Sequence, residues 1–89
     1  AAASTAIHYL NDADANFADD GNRLHYLSEA YAFINALTYN VDGSIGQSDV
    51  DEVLAALGDN YWTVTQADIL AARDLLATKA NLESVKGDL

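Results

Sequence analysis

The chain contains no cysteine, no proline and no methionine. Without cysteine there is no disulfide to staple the fold and no thiolate to hold a metal. Without proline nothing in the sequence interrupts a helix from within. A chain without methionine is expected to be a processed product or part of a longer protein. Its opening, Ala1-Ala2-Ala3-Ser4, suits the residue of a processing site or a linker. No apolar run is long enough to cross a bilayer, and no signal peptide is recognisable.

Positive charge is nearly absent. Only Arg23, Arg73, Lys79 and Lys86 stand against 14 acidic residues, for a formal charge of −10. That balance excludes nucleic acid and anionic membrane surfaces as natural partners. Cations or basic proteins suit it better, and its plainest use is solubility in a salty or extracellular setting.

What remains is the vocabulary of helices joined by turns. Hydrophobic residues make up 51% of the 89 residues, many of them alanine. Glycines fall between the periodic segments, at Gly21, Gly43, Gly46, Gly58 and Gly87. A chain of this length buries roughly 60–65% of its unfolded surface, enough for one modest core. We therefore expect an all-α bundle of three to four helices. It is either a single helical domain over 1–89 or the C-terminal part of a larger helical protein.

Four segments carry helical periodicity. The first runs from about Ser4 to Phe17, with a sparse stripe of Ile7, Leu10 and Phe17. The second, about Asn22 to Thr38, repeats Leu24, Leu27, Tyr31, Ile34 and Thr38 at three- and four-residue steps. Tyr26, Phe33 and Leu37 widen its stripe, which predicts a central helix. The third begins at Ser48 with Asp51 as capping partner and carries Val50, Val53, Leu54 and Leu57 up to Gly58. Asp59 to Val64 is extended. Thr65 caps the fourth, with Asp68 at the third position, and Ile69, Ala72, Leu75, Leu76 and Leu82 face inward. Leu27, Ile34, Leu54, Leu57, Ile69 and Leu76 are the expected core.

Three constellations can carry chemistry. His25 and Glu29 lie four apart on the second helix and so share a face. Such a pair can hold a divalent metal or move a proton. His8, the other histidine, completes a three-ligand set if the first two helices are antiparallel neighbours. The plainer reading is a local surface pair worth a few tenths of a kcal/mol.

The second constellation is the segment Thr38 to Asp49. It matches the oxygen-ligand spacing of a helix–loop–helix calcium site. Thr38, Asn40, Asp42, Ser44 and Asp49 take positions one, three, five, seven and twelve. Gly43 falls at six and Ile45 at eight. Threonine replaces the usual aspartate at position one. The short acid at twelve resembles dockerin loops, although a second loop at Asp12–Asn16 has Phe17 in place of glycine. The alternative is an ordinary turn with a helix cap.

The third is Tyr61-Trp62. A loop aromatic is either a partner anchor or, as we expect here, a lid that folds back on a small core. The sequence contains no phosphate loop and no nucleophile elbow, and no enzymatic activity is expected.

The segment Arg23-Leu24-His25-Tyr26-Leu27-Ser28-Glu29-Ala30-Tyr31-Ala32-Phe33-Ile34-Asn35-Ala36-Leu37 resembles the His-x-x-Ser-Glu-Ala-x-x-Phe helix of imelysin-like bacterial lipoproteins of unknown function. Tyr39-Asn40, Asp51 to Gly58 and Thr65 to Ala77 extend the resemblance over about residues 22–80. It implies an exported helical protein at the periplasm, cell surface or outside the cell. It also implies a link to iron uptake through a Gly-x-His-x-x-Glu motif. The spacing departs here: Gly21 lies four before His25 and Glu29 four after. Three readings result: a non-enzymatic interaction domain of an exported protein, an iron-type metal-binding domain, or a calcium-stapled interaction module or extracellular assembly subunit. The partner is then a protein, the remainder of the same chain, or a further copy of it.

Overall fold

Two of the helices start where a side chain accepts from their first free N–H groups. The computed structural model describes residues 2–37, 45–58, 60 and 62–89. Its helices are α1 (Ala2–Ala15), α2 (Asp20–Ala36), α3 (Gln47–Leu57) and α4 (Gln66–Ala80), followed by a 3₁₀ turn at Glu83–Val85. No strand occurs among the described residues. The all-α class expected from composition is the class the chain adopts.

The caps explain the boundaries. The Asp19 carboxylate accepts from the backbone N–H of Asn22, so α2 starts two residues earlier than its apolar stripe suggests. At α4 the expected capping box forms in full. Thr65 accepts from the Asp68 N–H, and Asp68 accepts from the Thr65 N–H, both at 3.1 Å. The start of α3 differs from expectation. Gly46, not Ser48, is the cap, and the carboxylate that reaches back to its N–H is Asp49, at 3.0 Å. Gly58 ends α3 at φ 92°, a region open to glycine and costly for other residues.

The helices alternate in direction. Gln66 at the start of α4 bonds Asp14 at the end of α1. Lys79 near the end of α4 bonds Asp49 at the start of α3. The short 16–19 turn folds α2 back along α1. Packing is most extensive between α1 and α2, then between α4 and its two neighbours α1 and α3, while α2 and α3 meet only lightly. The body measures 36 × 25 × 17 Å. Its thinnest dimension fits two helix layers of about 10 Å each, interdigitated.

Ile7, Leu10, Leu27, Ile34, Leu37, Val50, Val53, Leu57, Ile69 and Leu76 are the largest fully buried side chains. Leu54 and Leu75, both expected inside, only lean on this core from the rim. Alanines at 3, 6, 13, 30, 72 and 77 complete the buried core. No charged or polar residue is buried among the described ones. The second helix is not central. Its Leu27–Ile34 stripe faces the core, and its Tyr26 and Phe33 pack half-buried against Tyr9 of α1.

Candidate functional site

The structure separates the expected metal ligands. Tyr9 meets α2, stacked on Phe33 at 5.6 Å and tilted against Tyr26 at 6.4 Å between ring centres. With Tyr9 turned inward, its neighbour His8 is left on the outside of α1, and its Nε2 lies 3.1 Å from Asp12 of the same helix. Burial of Leu27 likewise turns His25 into solvent, with its ring edge against Tyr26. Aromatic rings thus fill the seam where a shared ion would have to sit. Glu29 is half-buried. Among the described residues, no three His, Asp or Glu side chains are placed to hold a metal ion. His8, His25 and Glu29 are therefore not brought together, although α1 and α2 are antiparallel neighbours as that set required.

Of the calcium-loop residues, Thr38, Asn40, Asp42 and Ser44 lie outside the described residues. Asp49 is described, and both its oxygens are engaged. One accepts from the Gly46 N–H at 3.0 Å, and the other meets Lys79 Nζ at 2.8 Å. The Lys79 ammonium, with the Gly46 bond, holds the Asp49 carboxyl below its usual range. Lys79 also reaches Glu52 at 3.0 Å, and the two carboxylates raise its own pKa. A lysine already supplies the positive charge that a calcium ion would bring to Asp49.

A second polar cluster ties the C-terminal segment down. Arg73 donates to Asn11 Oδ1 at 3.1 Å and to Asp74, and Lys86 pairs with Asp74 at 3.1 Å. Asn11 in turn donates to the Lys86 carbonyl at 2.7 Å. Burial tends to raise the Asp74 pKa, but the Lys86 and Arg73 bonds prevail and lower it. Arg23, 11% exposed, donates to the Phe17 carbonyl, pairs with Asp20 and lies 5.0 Å over the Phe17 ring. Spacing does not reveal the Asn11 cluster, because its partners are as many as 78 residues apart.

Between Ser4, Thr5, His8 and Leu89 lies an open depression of about 240 Å³. Its histidine is half-exposed, with Nε2 3.1 Å from an Asp12 carboxylate oxygen.

Trp62 reverses expectation. It does not cover the core; it is 69% exposed, the largest outward-facing apolar side chain described. Its position comes from a built turn. Asn60 Oδ1 accepts from the Trp62 N–H at 2.9 Å. The Asn60 carbonyl accepts from the Thr63 N–H at 3.1 Å and from its hydroxyl at 3.2 Å. This is the side-chain-mimicked turn that asparagine favours. Just beyond it, Val64 is buried at 5% exposure and Thr65 caps α4, so the turn is pinned on its helix side. The sequence signal for the turn is the Asn60-x-Trp62 spacing, which lets the Asn60 side chain accept from the Trp62 backbone N–H. Tyr61 lies outside the described residues.

No family model matches the chain, and no curated protein or solved structure does so. No helix described is long and apolar enough to cross a membrane.

Proposed function

We propose that this chain is a non-enzymatic interaction domain that holds a protein partner through Trp62. The observation that carries the proposal is the exposure of Trp62 on a hydrogen-bonded turn. Tryptophan is the residue most enriched among interface anchors. Covering its remaining surface, on the order of 100–150 Å², is worth roughly 3 kcal/mol at about 25 cal/mol/Å². A pinned backbone supplies that gain without the ordering cost of a loose loop.

The rest of the molecule supports a binding role over chemistry. Of the three described groups with perturbed pKa, Asp49 and Lys79 pair with each other, and Asp74 pairs with Arg73 and Lys86. Each shift serves helix ends or helix contacts rather than an open cleft. The resemblance of Arg23–Leu37 to imelysin-like lipoproteins supports an exported setting within the same proposal.

A photo-crosslinking amino acid at position 62, in the cells that make the protein, tests the proposal. The expected result is one discrete adduct from position 62 and none from the exposed positions Ala32 and Ala71. The same products at all three positions, or none at 62, would reject Trp62 as an anchor.

A further inference from the structure

We infer that the end of the bundle bearing Trp62 receives a lysine- or arginine-bearing segment of its partner, with a cation over the indole face. The inference rests on the anchor reading above and adds the chemistry of the partner.

The alternation of helix directions puts two connections at one end: the 16–19 turn between α1 and α2, and the Trp62 loop between α3 and α4. Gln66 fastens them together, 3.3 Å from Asp14 Oδ1. This end holds Asp14, Asp19, Asp20 and Asp68, with Asp19 and Asp20 exposed. The C-terminal ends of α1 and α3 also point this way, and neither has a basic residue in its last turn. Their partial negative charge is therefore left standing. The opposite partial charge, at the starts of α2 and α4, meets Asp20 and Asp68.

No positive side chain is available to offset this. Arg23, the basic residue at this end, is 11% exposed and spent on Asp20 and Phe17. Lys79 is bound at the start of α3, at the other end of the bundle. Arg73 and Lys86 are bound to Asp74 in the middle of α4. The end of the bundle that carries the exposed indole is thus negative, with no free cation among the described residues to offset it. An aromatic face attracts a cation, and carboxylates at the same end of the bundle strengthen that preference. Nucleic acid, an anionic bilayer and a second copy of this chain all bring negative charge and are repelled.

Trp62 is the one tryptophan of the chain, so its fluorescence reports this end alone. The test titrates the whole chain with a tryptophan-free, end-capped Arg/Gly peptide. Glu/Gly and Leu/Gly peptides of equal length serve as comparisons. A saturable change is expected with the Arg peptide only, weakening several-fold from about 50 to about 500 mM salt as screening grows. Asp14→Asn with Asp19→Asn keeps an acceptor for Gln66 and for the Asn22 N–H that caps α2. It should weaken binding about two- to fivefold, with circular dichroism unchanged. Trp62→Ala, followed by calorimetry, should weaken it by a similar factor. An equal response to the Glu peptide, no response to the Arg peptide, or indifference to salt and to the Asn substitutions would overturn the inference. Salt-independent binding of the Leu peptide would overturn it while leaving the anchor reading intact, which the crosslinking judges separately.

Discussion

Leu75 and Leu76 are neighbours in the middle of α4, and the periodicity of the sequence points both inward. In the structure Leu76 is fully buried, whereas Leu75 only leans on the core. Truncation to alanine removes three carbons from either residue and changes helix propensity equally. The two costs therefore differ only through burial. For Leu76 the transfer loss is about 2.4 kcal/mol, at about 0.8 per buried carbon. The space left behind adds about 24 cal/mol per Å³ that the neighbours fail to fill, so the total is about 3 kcal/mol. Leu75→Ala should cost about 1 kcal/mol, since much of its surface stays in water. A domain of this size has roughly 4–13 kcal/mol of stability in all. Leu76→Ala should then lower Tm by about 10–25 °C. Urea titrations followed by circular dichroism measure both costs. Equal costs, or a larger one for Leu75, would show that α4 presents a different face to the core.

The remaining predictions concern the clusters and the turn. Asp49 has a depressed pKa in the folded state, so its contribution is present above the unfolded value and is lost as pH falls through the folded one. Asp49→Asn should therefore flatten the acid limb of a stability–pH curve below about pH 4. Lys79 has a raised pKa, so its contribution is complete below about pH 10 and fades at higher pH; Lys79→Met should flatten that alkaline limb. Gly58→Ala forces a side chain into φ 92° and should cost about 1–2 kcal/mol in a denaturant melt. Millimolar calcium should leave Tm unchanged, because Lys79 and the Gly46 N–H already occupy the Asp49 oxygens. A rise in Tm that Asp42→Ala abolishes would favour the calcium reading instead.

The parts of the fold that were legible in sequence are those decided locally. The Thr65–Asp68 box, the Gly58 stop and the buried positions of α4 at Ile69, Ala72 and Leu76 all follow from residues within one or two turns. The start of α3 differs from expectation because Ser48 and Asp51 fit the capping-box pattern, whereas Gly46 offers no side-chain acceptor and only Asp49 reaches back to its N–H. Lys79, from a distant helix, helps to decide between them. The central position expected for α2 failed for a related reason. Its wide apolar stripe serves two surfaces, the core through Leu27 and Ile34 and the ring of Tyr9 through Tyr26 and Phe33. Periodicity measures the width of a stripe and not what covers it. The separation of His8 from His25 and Glu29 depends on which neighbour of each helix turns inward, a matter of tertiary packing. Trp62 was expected to cover the core because apolar bulk favours burial. In the structure its backbone is held in an Asn60 turn and the indole stands exposed, which apolar bulk alone does not reveal.

The account depends most on that outward indole, and the single tryptophan allows it to be read directly. Acrylamide quenching of the folded chain at neutral pH, compared with the urea-unfolded chain and with free N-acetyltryptophanamide, is the decisive measurement. With Trp62 at 69% exposure, quenching should approach that of the free indole, change little on unfolding, and accompany a solvent-like emission maximum. A blue-shifted emission that resists quenching until the chain unfolds would place Trp62 against the core and contradict its role as an anchor.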